Sequence, residues 1–326
     1  MTSFKWLMVI ASASVLAFGV AACGDDDEAS GGGGGDLSGS IRIDGSSTVA
    51  PLSEPMAELF NEENSDVSIT VGTSGTGGGF EKFCNGETDI SDASRAIEPD
   101  EEKACAANGI DFEEVVVAND ALSLVVNPDN PVTCLTVEQV GEIYGPKATA
   151  TSWSDVKGLD ANFDEDLDIF SPGADSGTFD YFTDAINDEE GAQRSQNVNV
   201  VGENDNATVT GVSGSEGGIG YFGYSFYNEN RDKLKALEIE GPDSGKCVEP
   251  APETTQAGEY APLGRQLYIY PSAPALEKPE VLEFVNFYLE NGNGVAEQAG
   301  FIELTEEQLA ESQSGVDALA AAGGGK

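Results

Sequence analysis

Ser171-Pro172-Gly173-Ala174-Asp175-Ser176-Gly177-Thr178-Phe179 joins two stretches of different hydrophobic period. Leu167 to Phe170 is an apolar run that reads as a strand, and Pro172 and Gly173 break it. Asp175 to Thr178 then open a helix that runs through Phe179, Tyr181, Phe182, Ala185 and Ile186. The first backbone N–H groups of a helix have no intrahelical partner, and the macrodipole places partial positive charge there. A strand that ends in hydroxyl residues and a glycine at such a start can cradle an anion. An ordinary N-cap by Asp175 or Ser176 uses the same residue types. The rest of the chain decides between the two uses.

The design occurs twice more. Gly45-Ser46-Ser47-Thr48 follows a strand at Ser40–Asp44 and precedes a helix with Leu52, Met56, Leu59 and Phe60 on one face. Gly72-Thr73-Ser74-Gly75-Thr76 follows a strand at Val67–Val71 and precedes a helix that starts with Phe80 and Phe83. Asp89–Ser91 reads as a third strand, with Arg95 just beyond it, and Val115–Ala118 and Leu122–Val126 read as two buried strands. This alternation predicts an α/β fold with a parallel-type sheet covered by helices. After Asn127-Pro128-Asp129-Asn130-Pro131 the pattern restarts. The expected organisation is two lobes joined by two crossing strands, residues 37–124 plus 265–322 and residues 125–264, with a tail at 323–326. Ligands of open α/β sheets bind at the carboxyl ends of strands. Three such turns facing one cleft would offer many donors to a tetrahedral oxyanion, and the Arg95 guanidinium would grip two of its oxygens.

Composition narrows the partners. Fifteen basic residues against 59 acidic ones give a formal net charge of −44, which argues against nucleic-acid binding. The chain has no histidine, so Ser-His-Asp triads and His-ligated zinc are excluded. It contains no G-x-x-x-x-G-K-[ST] and no G-x-S-x-G around its Ser-Gly turns. Asp164, Asp166 and Asp168 alternate like a calcium loop, but Ile169 stands where the loop needs glycine. The tyrosines Tyr181, Tyr221, Tyr224 and Tyr227, with Phe222, read as packing. No metal and no cofactor are expected.

The N-terminus reads as a targeting segment. Lys5 precedes an apolar run from Leu7 to Val20, then Val20-Ala21-Ala22-Cys23 and an acidic stretch. Residues 1–22 are expected to be a signal peptide, and residues 23–36, with glycines 31–35, a flexible tether. Cys84, Cys105, Cys134 and Cys247 remain, and an exported chain favours disulfides. Four cysteines allow three pairings, of which Cys84–Cys105 with Cys134–Cys247 is the preferred one for locality.

Gly45-Ser46-Ser47-Thr48-Val49, Thr73–Phe80, Asp89–Arg95 and Pro172–Phe182 together resemble, in order, the phosphate-binding proteins of bacterial phosphate ABC transporters, in the type II periplasmic-binding superfamily. Val20–Cys23 resembles the lipobox of bacterial lipoproteins, which implies acylation at Cys23 and an anchor on the outer face of the cell membrane. The family resemblance implies a non-enzymatic, monomeric two-lobed protein that closes on inorganic phosphate and presents it to the permease subunits of an ABC transporter. It assigns Ser47, Thr48, Val49 and Ser74 to the phosphate from one lobe and Ser176, Gly177 and Thr178 from the other. The better-known family pattern has an arginine where this chain has Pro172, and an aspartate that accepts the phosphate's proton near where Arg95 falls. Arg95 is therefore expected to supply the missing charge, with Asp92 and Asp175 as candidate proton acceptors. The competing expectations are a binding protein for sulfate, molybdate or tungstate, a phosphate sensor, and a surface phosphatase.

Overall fold

The computed structural model describes residues 37–159, 161–241 and 245–323. The signal segment, Cys23 and the glycine tether lie outside the described residues. The strands are β1 (Gly39–Gly45), β2 (Val67–Gly72), β3 (Ile90–Ala93), β4 (Val115–Val126), β5 (Cys134–Thr136), β6 (Asp168–Ser171), β7 (Asn199–Val200), β8 (Gly218–Gly223), β9 (Lys235–Ala236), β10 (Glu238–Glu240), β11 (Cys247–Val248) and β12 (Gly264–Pro271). The helices are α1 (Ala50–Glu63), α2 (Thr76–Cys84), α3 (Pro99–Ala107), α4 (Val137–Tyr144), α5 (Gly177–Asn187), α6 (Asp205–Gly214), α7 (Tyr224–Glu229), α8 (Pro252–Gln256), α9 (Ala273–Leu276), α10 (Pro279–Gln298) and α11 (Glu306–Gly323).

The main sheet runs β2-β1-β3-β12-β4-β8-β6-β7, with β9 also on β4. It is mixed, where the alternation of strands and helices predicts a parallel-type sheet. β1 lies parallel to β2 and β3, and β6 parallel to β7 and β8. β12 runs antiparallel to both β3 and β4, and β4 antiparallel to β8. The parallel rule therefore holds at each end of the sheet and fails in its middle, where β4 and β12 pair with each other.

β4 is one strand of 12 residues where the sequence suggests two. The polar pair Asn119-Asp120 does not interrupt it because both side chains find partners inside. Asn119 donates to the Glu303 carbonyl and exchanges amide bonds with Gln308, and Asp120 pairs with Arg265. A buried polar group that is hydrogen-bonded does not break a strand. Val115, Val117 and Ala118 of β4 belong to a core built on Ile41, Ile43, Leu52, Met56, Phe60, Ile269 and Phe284. Ala121, Leu122, Leu124 and Val126 belong to a second core with Tyr144, Trp153, Phe182 and Tyr221. The strand thus serves both.

Tyr221 and Phe222 are fully buried, as the packing reading of the tyrosines requires. Phe182 of α5 stacks on Tyr221 with ring centroids 3.7 Å apart, and Tyr144 meets both edge-on. This cluster fixes α5, and with it the position of the Ser176–Thr178 turn. Cys84–Cys105 staples α2 to α3, and Cys134–Cys247 staples β5 to β11, which is the pairing that locality favours.

Candidate functional site

The three hydroxyl-glycine turns lie at the carboxyl ends of β1, β2 and β6, each before a helix. A cavity of 950 Å³ opens beside the first two, lined by Ser46, Ser47, Thr48, Ser74, Thr76 and Arg95 among others. The third turn meets the first from the opposite side, since a Cβ built on Gly177 would sit 3.8 Å from Thr48 Oγ1. The starts of α1 and α5 therefore face each other at contact distance.

The three starts differ in what they leave free. At α2, Gly75 has φ +80° and ties its N–H to the Gly45 carbonyl. Only glycine adopts that conformation readily. The first bond of the helix runs from the Gly79 N–H to the Gly75 carbonyl, so the N–H groups of Thr76, Gly77 and Gly78 precede the ladder and border the cavity. At α5, Ser176 is the N-cap, yet its side chain makes no capping bond. The capping use weighed from sequence is not made there. At α1, Ser46 takes more of the donors. Its carbonyl accepts from Val49 N and Ala50 N at 3.2 Å each, and its Oγ accepts from Thr48 N at 3.2 Å. Val49 is buried with its N–H engaged, and the Thr48 N–H is taken by Ser46, so Thr48 faces the cavity through its side chain.

Two arginines border the cavity. Arg95 forms a bidentate pair with Glu101, both bonds at 2.8 Å, and approaches Glu98 at 3.5 Å. Hydrogen bonding to Glu101 raises its pKa, against the opposing effect of burial. Arg265, at the start of β12, sits over the Tyr181 ring with its guanidinium carbon 3.4 Å from the centroid. It pairs with Asp120 at 3.2 Å and donates to Thr48 Oγ1 at 3.3 Å and to the Ser94 carbonyl at 3.4 Å. Burial pushes the Asp120 carboxyl up and Arg265 pulls it back, with burial the stronger. Arg265 is not among the residues that the sequence motifs single out. A usable signal exists, because a charged residue leading into an apolar strand such as Leu267–Tyr270 must find a partner.

The carboxylates are distributed unevenly. Asp180, Asp184 and Glu190 line the cavity opposite the turns. Burial raises the pKa of Asp180, and burial with repulsion from Asp180 and Asp184 raises that of Glu190. Neither candidate proton acceptor lines the cavity. Asp175 is exposed on the α5 side. Asp92 on β3 is fully buried behind Gly45, with no hydrogen-bond partner on either oxygen. Burial pushes its carboxyl up to about 7. Another carboxylate, which the motif reading passes over, stands closer: Asp44, at the end of β1, accepts from both the N–H and the hydroxyl of Ser74 and from Lys82.

A PBP superfamily domain model matches residues 30–291. Protein SphX of Synechococcus elongatus is 45% identical over 81% of this chain and 77% of its own length. Phosphate-binding protein PstS of Staphylococcus saprophyticus is 40% identical over 96% of this chain and 94% of its own. The crystal structure of a "possible phosphate binding protein" from Planctomyces limnophilus superposes with a TM-score of 0.81 at 41% identity, covering 87% of this chain and 99% of the other. The chain belongs to the PBP superfamily and, within it, to the family of PstS phosphate-binding proteins. This is a family of substrate-binding transport proteins, not of enzymes. No helix among the described residues is long and apolar enough to cross a membrane.

Proposed function

We propose that the protein captures inorganic phosphate outside the cell membrane and delivers it to the permease of an ABC transporter. The observation that carries this reading is the pair of hydroxyl-rich helix starts, those of α1 and α2, on one cavity with Arg265 beside them, and the third start brought against Thr48 at Gly177 although Ser176, Gly177 and Thr178 do not line the cavity itself. Thr76, Gly77, Gly78, Gly177 and Thr178 supply backbone donors, and Ser47, Thr48 and Ser176 supply hydroxyls. Arg265 provides the principal positive charge, with Arg95 at the rim as a second contributor. Relatives of 40% and 41% identity carry names that specify phosphate binding.

Residues 37–124 plus 265–322 and residues 125–264 act as two lobes that close by bending β4 and β12. The protein works as a monomer without catalysis, held at the outer face by acylation of Cys23. Saturable binding of radiolabelled phosphate, with sulfate, molybdate and tungstate as competitors, tests the ligand. The reading fails if phosphate does not saturate a single site, or if another oxyanion displaces it at equal concentration. Labelling with a radioactive fatty acid, abolished by Cys23→Ala, tests the anchor.

A further inference from the structure

We propose that the protein has a second ligand site, a cavity between α7 and the segment Glu249–Glu253, that takes small zwitterions of the amino-acid and dipeptide class. The inference is independent of the phosphate reading.

This cavity measures 580 Å³ and shares no lining residue with the one beside the helix starts. Cavities of roughly 300–1,000 Å³ hold small organic ligands. Tyr224, Tyr227 and Arg231 line it from α7 and the turn that follows, Lys235 from β9 and Glu238 from β10. Residues 249–253 supply a further wall. α8 runs from one cavity to the other: Pro252 and Glu253 line this one, Thr255 and Gln256 the first.

The charges of the wall set the class of ligand. Arg95 and Arg265, at the first cavity, both pair with carboxylates. Arg231 and Lys235 pair with none among the described residues, although Glu238, Glu249 and Glu253 line the same cavity. Opposite charges that line one cavity without meeting leave a gap that a ligand with both charges can bridge. A purely anionic ligand would face the glutamates across that gap, and a purely cationic one would face Arg231 and Lys235.

The cationic side is built to receive a carboxylate. The Arg231 guanidinium carbon stands 5.3 Å from the Tyr227 ring centroid and 5.7 Å from that of Tyr224, so two aromatic faces hold the group in place. Arg231 Nη2 donates to the Tyr224 hydroxyl at 2.6 Å. Its other N–H donors have no partner among the described residues, and a guanidinium has five. Tyr224 is 8% exposed, and burial raises its pKa, so the hydroxyl keeps its proton at neutral pH. The oxygen already accepts from Arg231, and the proton has no acceptor among the described residues. Arg231 and Tyr224 thus offer donors side by side, the arrangement that a planar carboxylate matches. Glu253 acts electrostatically on the same Tyr224 hydroxyl, which puts an acidic group within reach of the ligand's other end. A dipeptide places its carboxylate on Arg231 and Tyr224, its ammonium toward the glutamates, and its side chain against Tyr227 and Pro250.

Saturation-transfer NMR on the full protein tests this, with the twenty glycyl dipeptides Gly-X as probes. At least one should bind saturably with a Kd below about 5 mM. Amidating its carboxylate or acetylating its amine should each weaken it by about tenfold. Arg231→Ala should weaken the free dipeptide by about tenfold and leave its amide unchanged, while the variant melts like the wild type and keeps its phosphate affinity. If no Gly-X dipeptide binds below about 5 mM, the inference is overturned. An amide or acetyl form that binds as tightly as the free dipeptide overturns it as well, as does an Arg231→Ala variant that binds the free dipeptide like the wild type. Phosphate is added last as a competitor. Displacement of the dipeptide by phosphate would place it in the first cavity, which also sinks the proposal.

Discussion

Arg95 and Arg265 border the same cavity and carry the same charge, yet they are held in opposite ways. Arg95 has its fork filled by both oxygens of Glu101 at 2.8 Å, and its side chain is 37% exposed. Arg265 has a single Asp120 oxygen at 3.2 Å, an aromatic face beneath it, and a side chain only 17% exposed. Its remaining donors reach toward Thr48 and Ser94, two residues of the cavity wall. The difference teaches that proximity to a strand end does not make an arginine a ligand. What counts is whether its fork is already occupied and how little water screens it.

The comparison breaks first at Arg265→Ala. Phosphate affinity should fall by about a hundredfold, from loss of a charge-assisted contact in a poorly solvated site. Thermal unfolding should also reveal a loss of about 3–5 kcal/mol, since Asp120 is left buried without its counter-charge. A variant that binds phosphate like the wild type removes Arg265 from the site.

Asp92 extends the comparison to a buried carboxyl with no opposite charge beside it, where the pull of the Ser53 hydroxyl is outweighed by burial. Its folded-state carboxyl lies at about 7 against an ordinary 3.8, so the folded protein holds the proton more tightly than the unfolded chain. Stability should therefore decline as pH rises from about 4 to about 7, and the decline should end above that. Asp92→Asn should flatten this slope and gain about 1–3 kcal/mol at pH 8, read as melting temperature against pH. Equal slopes in the two proteins would mean that Asp92 finds a partner in solution.

Smaller effects sharpen the contrast. Arg95→Ala should weaken phosphate by less than tenfold, because Glu101 already consumes its donors. Glu101→Gln should tighten phosphate by a few-fold as the fork is released, measured by titration calorimetry. An Arg95→Ala loss as large as that of Arg265→Ala would invert the ranking of the two arginines. The smallest effect expected is kinetic. With a net charge of −44, phosphate association should speed up a few-fold as salt rises from about 10 to about 150 mM, since the screening length shrinks from about 30 to about 8 Å. Stopped-flow measurement at constant pH reads it.

The elements and turns were legible because they are written locally. Gly75, Ser176 and Gly177 announce themselves by glycine and hydroxyl chemistry within a few residues of an apolar run. The disulfide pairs that form are the ones preferred for locality among three possible pairings. A return of residues 265–322 to the first part of the chain was expected; what escaped was where the returning strand inserts. β12 inserts between β3 and β4 and brings Arg265 to Thr48, 217 residues away. No periodicity reports a contact across that distance. The antiparallel middle of the sheet escaped for the same reason. Asp44 lies 30 residues from Ser74, and only the parallel register of β1 on β2 brings them together. The capture of Arg95 is different, because Glu101 follows it by only six residues. The box at the start of α3, where Glu98 and Glu101 cap each other's backbone, was readable from Glu98-Pro99-Asp100-Glu101.

Arg265 also lies on β12, which pairs along β4, the strand that serves both cores. In the closure proposed above, any swing of one core against the other would be absorbed along those strands, and groups near the pivot would travel least. The positive charge is then a pivot pin rather than a jaw. It can meet an anion while the cleft stands open and keep hold of it throughout the swing. A charge mounted on either wall would have to wait for the walls to meet.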